Sequence, residues 1–407
     1  MKNIFPFAAM IVVSFLFSCN ENGSFQIKIK NSNNFLITDA FIELDFNFPQ
    51  ENFIIKSGEE LIPYQVVNLD GNKKKVCLIV NLDSKQEKIL TFLYDTKIKK
   101  PEFKKRTYAE LAMKLENVYY DGRFRGSKFS NVSRIKVPAI HTDHDALFKY
   151  EGPGWESEKV GYRFYLDWRN ATDIFGKKKD HLILANVGIH DTVAKGDSYH
   201  SMQAWGMDIF KVGSSLGIGS VGMWNDNKVN MVSKTDSIYC EITQNGPIKS
   251  EVKTDYFGWN IGDKKYNLVS KLSITAGSRL TKNEIQISDY AENIVTGFAK
   301  YPGTQYFKSD AAGEWAYIAL YGKQTLVSAE DKLGIAILYK TTNQPELTED
   351  DLSYIIKIKP ERGNTEYYFC AAWEQEENGI KNFEQFKIYL DQILVSLNNP
   401  IQIETIN

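Results

Sequence analysis

Two arginines, a tyrosine and an aspartate fall on one side of a single alternating run in this 407-residue chain. With side chains pointing to opposite faces in turn, a strand from Val160 to Arg169 gathers Arg163, Tyr165, Asp167 and Arg169. Tyr162, Phe164, Leu166 and Trp168 fall on the other side as a core stripe. The first set is two guanidinium groups, a phenol and a carboxylate, the equipment for holding an anionic, hydroxyl-rich ligand. All five histidines lie between residues 141 and 200: His141, His144, His181, His190 and His200. Imidazole gives and takes protons near neutral pH, so their gathering marks a polar site in this window.

Two clusters flank the arginine run. His141-Thr142-Asp143-His144-Asp145 packs four metal-competent side chains into five residues, and His141 and His144 can share a divalent cation with Asp143 or Asp145. The bland alternative is a polar loop whose imidazoles face water or substrate. No other cofactor is expected. The second cluster is Ser198-Tyr199-His200 with Trp205-Gly206-Met207-Asp208, and His190-Asp191 lies upstream. Tyr199 and His200 would leave a strand on opposite faces but can both reach a cleft from a loop. His181 opens the apolar run HLILANV and reads as structural.

Two motifs match by letter and fail by context. Gly217 to Gly222 fits G-x-G-x-x-G, yet Met223-Trp224-Asn225-Asp226-Asn227 after it is turn-like where a dinucleotide site needs a helix. Gly213 to Gly217 fits the nucleophile elbow with Ser215 at its centre, but nothing helical follows and the chain does not alternate strands with helices. Both read as glycine-rich turns. A Walker A loop is absent, which removes the main support for a P-loop hydrolase.

The elements that must position these residues are strands. Residues 25–94 hold FQIKIK, FLITDAFIEL, KVCLIVNL and KILTFLY between turn signals, which predicts a small β-sandwich. KIKKPEFKKR over 97–106 reads as a solvated basic linker. Thr107-Tyr108-Ala109-Glu110 matches a capping box, but Ala109, Leu111, Met113 and Leu115 alternate with Glu110, Ala112, Lys114 and Glu116, and strand is the better reading. Strand-type runs then dominate to about residue 375: SRIKVPA, HLILANV, SIYCEIT, YNLVSKLSIT, NEIQISDY, WAYIALYG, LGIAILYK, YIIKIK and TEYYFCAAW. Only Phe383 to Leu397 carries helical spacing, with Pro400 beyond it. The expected architecture is mainly β: an N-terminal domain over 19–100, then a large antiparallel sandwich over 101–400 of the mutarotase or lyase-like supersandwich kind, closed by a C-terminal helix.

Residues 1–18 read as an export signal, with Lys2 ahead of an apolar run too short to span a bilayer. It ends in Leu16-Phe17-Ser18-Cys19, a lipobox-like sequence that makes Cys19 the lipidated N-terminus of a cell-envelope lipoprotein. That lipid is the one membrane contact expected. Cys77, Cys240 and Cys370 are an odd set at wide spacing, which reads as buried free thiols. A formal charge of −2 argues against nucleic acid as a partner. Aromatic residues at 13% suit sheet packing and sugar stacking equally.

At EGPGWESEKVGYRFYLDWRNATDIFGKK, HTDHD and YHSMQAWGMDIFKVGSSLGIGSVGMW, the chain resembles the Bacteroidota lipoprotein family known as domain of unknown function 4861. The resemblance covers roughly residues 25–400. It implies a place among enzymes that degrade acidic polysaccharides. It also implies a dehydratase that removes water from the non-reducing-end uronic acid of ulvan fragments, leaving a 4,5-unsaturated uronate. Such chemistry needs a base for the C5 proton, an acid for the C4 hydroxyl and a cation on the carboxylate. His200, His144, His141 and Tyr199 are then the acid and base candidates. Arg163 and Arg169 suit the carboxylate, with Tyr165, Asp167 and Trp205 as further substrate contacts. The alternatives are an oligosaccharide-binding lipoprotein of a polysaccharide utilization system, or a polysaccharide lyase or epimerase.

Overall fold

A computed structural model describes residues 23–46, 52–69, 73–94, 97–126, 128–189, 199–288 and 290–406. Two compact units result, one formed by residues up to Phe103 together with those from Ile401, the other by Lys104–Pro400. Cys19 and its preceding segment, and His190, lie outside the described residues. Among the described residues, no helix is long and apolar enough to cross a membrane.

In the first unit, Ser24–Lys30 pairs antiparallel with Glu87–Tyr94. Its alternation turns Ile27 and Ile29 inward, where they meet Ile42, Leu78, Leu90 and Phe92 in one core. The other edge of Ser24–Lys30 is taken by Gln402–Ile406, a strand the sequence reading did not anticipate. A separate three-stranded sheet of Ile37–Phe46, Lys74–Leu82 and Tyr64–Asn68 supplies the opposing layer.

The second unit is mainly β. A nine-stranded antiparallel sheet runs from Arg134–Lys136 at one edge to Thr304–Lys308 at the other, with Leu280–Ile287, Asn364–Trp373 and Lys332–Lys340 near its middle. Phe383–Asn398 is the one α-helix described, capped by the Asn382 side chain accepting from the Gln385 amide. Its Phe386 and Leu390 are buried against strand residues Tyr317, Tyr321, Ala336 and Leu338.

A five-stranded sheet positions the site. Its order is Gly206–Asp208, Thr172–Lys177, Gly161–Phe164, Gly154–Ser157 and Thr107–Glu110, all antiparallel neighbours. Trp155, Tyr162 and Ile174 turn to one face and join the main core. There Trp155 Nε1 donates to Thr281 Oγ1 at 2.9 Å and Tyr162 Oη donates to the Arg279 carbonyl at 2.9 Å, tying this layer to the nine-stranded sheet.

Three expectations are corrected. The run Val160–Arg169 is not one strand, because pairing stops at Phe164 and residues 167–170 form a turn with Asn170 at φ 45°. HLILANV is not a strand: Leu184–Asn186 is a short 3₁₀ turn, and Glu156 accepts from the Ile183 and Leu184 amides that a ladder would have used. Trp168 is not core. It is 49% exposed and donates from Nε1 to Asp143 Oδ1 at 3.2 Å. The Thr107 capping box starts no helix, since Thr107–Glu110 and Ala112–Lys114 are strands with Ala109, Leu111 and Met113 buried.

Gly213, Gly217 and Gly219 are turn residues, but Gly222 opens the strand Gly222–Asn225, so Met223, Trp224 and Asn225 are strand where a turn was expected, and no helix follows either motif. Gly217 and Gly219 both have positive φ, and a Cβ on Gly219 would sit 2.2 Å from the Phe369 ring. Ser215 is a turn residue, with Oγ donating to the Val212 carbonyl at 2.6 Å and accepting from the Gly217 amide at 3.0 Å.

Candidate functional site

The register of the five-stranded sheet places a charged row on the face opposite the core. Arg163 lies directly across from Asp173 on the neighbouring strand, and Asp208 lies across from Phe175 one strand further. Two-residue periodicity puts Asp173, Phe175 and Lys177 on that same face. The outer surface of this layer therefore carries ionic groups, and it is covered rather than solvated.

Arg163 is the centre, and only 3% of it is exposed. Its Nη2 reaches Asp208 Oδ2 at 2.6 Å and Asp173 Oδ2 at 2.7 Å, and its Nε donates to Asp173 at 3.1 Å. Tyr165 Oη accepts from Nη2 at 3.0 Å, and Tyr199 Oη accepts from Nη1 at 3.1 Å. Glu151 Oε2 completes the shell, 3.7 Å from Nη1. The tyrosine rings and Phe175 also lie beside the guanidinium, 5.0 to 5.6 Å from centroid to Cζ.

Arg169 returns to the cluster through the turn. Its Cζ stacks 3.9 Å from the Tyr165 ring centroid, its Nη2 meets Glu151 Oε1 at 3.0 Å, and its Nε donates to Asp167 Oδ1 at 2.9 Å. The grouping of Arg163, Tyr165, Asp167 and Arg169 expected from alternation is present, built by a strand and a turn.

Two imidazoles stand at the rim. His200 Nδ1 lies 3.2 Å from Asp208 Oδ2, with half of its side chain exposed, and its ring sits against Tyr199. His144 is 76% exposed, its amide donates to Glu151 Oε1 at 2.9 Å, and its Nδ1 lies 3.6 Å from the same oxygen. His141 goes elsewhere. Its side chain is buried, paired with Asp145 at 2.8 Å and set edge-on to Phe148. The proposed metal set of His141, Asp143 and His144 is not assembled, and among the described residues no three His, Cys, Asp or Glu side chains are placed to hold one metal ion together. His181 is exposed and lends the fold its carbonyl, which accepts from Lys177 Nζ at 2.8 Å.

Burial and neighbouring charge set the protonation of these groups. Burial, reinforced by the Asp208 charge and opposed by Arg163, pushes the Asp173 carboxyl up to about 6. Burial likewise opposes ionisation of Glu151, but Arg163, Arg169 and the His144 amide outweigh it and hold that carboxyl below the usual range. The Tyr199 phenol is pushed up to about 12 by burial, with Arg163 pulling the other way. At neutral pH Tyr199 can give a proton but not take one.

Asp173 and Glu151 were missed as site residues, and Asp208, noted in the second cluster, was given no role. The signal was present in TDIFGK, where Asp173, Phe175 and Lys177 alternate as cleanly as the arginine run does. Trp205 is partly exposed and packs edge-on to Phe175 at 6.1 Å, beside Tyr199. An open depression of about 380 Å³ near Leu216, Lys228 and Asp351 contains none of these groups.

Fold and cluster together define a mainly β protein with an arginine-centred, half-open polar site on one sheet face. The chain belongs to the DUF4861 family, a domain of unknown function, which it matches over residues 29–403. It is similar to Uncharacterized protein P7 of Formosa agariphila, at 22% identity over 283 residues that cover 61% of this chain and 66% of the relative. Among solved structures it is similar to a protein in the glycosyl hydrolase family 38 and to an alpha-mannosidase, both from Enterococcus faecalis. Each matches at 10% identity and a TM-score of 0.47, covering 95% of this chain. The chain spans just under two thirds of the curated relative and about half of those solved chains.

Proposed function

We propose that this chain is a carbon–oxygen lyase, a dehydratase acting on the non-reducing-end uronic acid of acidic oligosaccharides. The C5–H and C4–O bonds break, a C4–C5 double bond forms, and the proton and hydroxyl leave as water. Ulvan fragments are the first substrates to try, and a lipid anchor at Cys19 would keep the enzyme in the cell envelope.

One observation carries the reading. The two rim imidazoles are joined through a single buried guanidinium, in the order His144, Glu151, Arg163, Asp208, His200. A carboxylate fixes each imidazole, as proton transfer by a positioned base and acid requires. His200 and His144 are the groups assigned to the C5 proton and the C4 oxygen, with the Tyr199 phenol as a further donor. Arg169 Nη1 is the guanidinium nitrogen assigned to the carboxylate as it takes on enediolate character, since Nε and Nη2 are held by Asp167 and Glu151. Arg163 loses the direct substrate contact expected of it, because its donors are already engaged inside the cluster. It becomes a positioning residue.

Incubation with saturated, uronate-terminated oligosaccharides tests the reading. Loss of one water per molecule by mass spectrometry, with ultraviolet absorbance of the conjugated product, is expected. Shorter products would indicate a chain-cleaving lyase, and unchanged mass with tight binding would indicate a capture protein. Either result overturns the dehydratase.

A further inference from the structure

Arg163 and Arg169 are ion-paired inside the cluster, whereas Arg123 and Arg125 are not. Asn117–Tyr120 and Arg123–Gly126 form a two-stranded hairpin in which Val118 faces Arg125 and Tyr120 faces Arg123. Directly opposed residues share a sheet face, so Val118, Tyr120, Arg123 and Arg125 lie together on one side. Tyr119 and Phe124 lie on the other, their rings 4.9 Å apart, with Phe124 buried. The first face is open: Val118 and Tyr120 are 69% and 67% exposed, and both arginines are exposed. Among the described residues neither Arg123 nor Arg125 forms an ion pair, and Arg125 lies 5.8 Å from the Tyr120 ring.

The hairpin is fastened to the rim of the site. The Phe124 amide donates to the Asp145 carbonyl at 2.7 Å, one residue from His144, and buried Lys114 Nζ donates to the Phe124 carbonyl at 2.9 Å. An aromatic ring, an aliphatic side chain and two uncompensated guanidiniums therefore extend from the imidazole edge.

We propose that this hairpin face is a binding subsite for the anionic sugar units that follow the terminal one. Sugar rings stack by their C–H faces on Tyr120, and carboxylate or sulfate groups meet Arg123 and Arg125, whose planar forks match either anion. The position of the terminal unit rests on the function proposed above, whereas binding by the hairpin does not require turnover.

Calorimetry with glucuronate disaccharide and hexasaccharide already 4,5-unsaturated at the non-reducing end separates the two ideas, because neither probe has a water left to lose. The hexasaccharide should bind the wild-type chain about tenfold more tightly than the disaccharide, the equivalent of about 1.4 kcal/mol. Added salt should reduce that gain. The Arg123→Ala/Arg125→Ala variant, and independently Tyr120→Ala, should erase most of the gain while leaving disaccharide affinity and thermal midpoint unchanged. Equal affinity for the two lengths, no effect of the substitutions, or equal binding of a neutral cellulose hexasaccharide would overturn the subsite. So would hairpin-dependent capture of anionic phospholipid vesicles without oligosaccharide binding. A sulfated hexasaccharide run in parallel tells whether sulfate or carboxylate is the preferred anion. Water loss from saturated substrates is read separately, so one idea can fail without the other.

Discussion

His200 Nδ1 and Arg163 Nη2 meet the same oxygen, Oδ2 of Asp208, at 3.2 and 2.6 Å. The buried arginine thus fixes the carboxylate that fixes the rim imidazole. A side chain with almost no surface can in this way govern one that faces solvent.

Removing a positioned acid or base lowers rate by ~10²–10⁴. His200→Ala and His144→Ala should each lose turnover on that scale, measured as ultraviolet absorbance of unsaturated uronate. His141→Ala should behave differently. It leaves buried Asp145 short of a partner, which costs about 1–3 kcal/mol in urea unfolding, while the folded fraction keeps its turnover. Full activity in both rim variants would move proton transfer away from imidazole.

Arg163→Met should be among the most damaging single changes in the chain. It strands Asp173, Asp208 and Glu151 around a hydrophobic side chain, and breaking a buried ion pair typically costs about 3–5 kcal/mol. Chemical denaturation reads this directly. Arg163→Lys should recover little, since one ammonium cannot hold acceptors placed around a planar fork. A loss below about 1 kcal/mol would contradict the network's structural weight.

Asp173 sets a pH dependence whose sign is opposite to that of a salt-bridged acid. Its carboxyl ionises near 3.8 in the unfolded chain and near about 6 in the folded one, so the folded state holds the extra proton between these values. Its contribution is present in full below about 3.8 and is lost as pH rises through about 6. Urea unfolding from pH ~4 to ~7 should show wild type losing stability relative to Asp173→Asn, which is neutral throughout. Parallel curves would remove the assignment.

Gly219→Ala should be poorly tolerated for purely steric reasons. The backbone is at φ 69° and the new methyl would sit 2.2 Å from the Phe369 ring, against buried aromatic packing that cannot yield cheaply. A loss of about 2–4 kcal/mol is expected, from strain and overpacking together. Gly213→Ala, with nothing within 4 Å of its added Cβ, should lose only the cost of its positive φ.

Much of the fold was legible because strand alternation and apolar runs are local signals. FQIKIK, SIYCEIT, LGIAILYK and the spacing from Phe383 to Leu397 each describe the element that forms. Failures came where a distant partner decided. HLILANV has strand composition, but its amides are claimed by Glu156, a residue 27 positions away that pairs with Lys177 on the same sheet face as Arg163. Trp168 read as core by periodicity, but the strand had already ended. The site was half legible for a related reason. The arginine face could be read along one strand, whereas the acids that neutralise it sit across the register on the next two. Pairing register is a property of two segments, and no single segment displays it.

Gln402–Ile406 lies along the outer edge of Ser24–Lys30, so the first unit's five-stranded sheet draws on both extremes of the described chain. During synthesis its other strands leave the ribosome early and must wait for some three hundred residues before that edge can be covered. Until then the main-chain donors and acceptors of Ser24–Lys30 on that side are an open template for any passing strand. An early-made sheet is thus completed by a late-made strand, and throughout the interval that edge is exposed to misassembly.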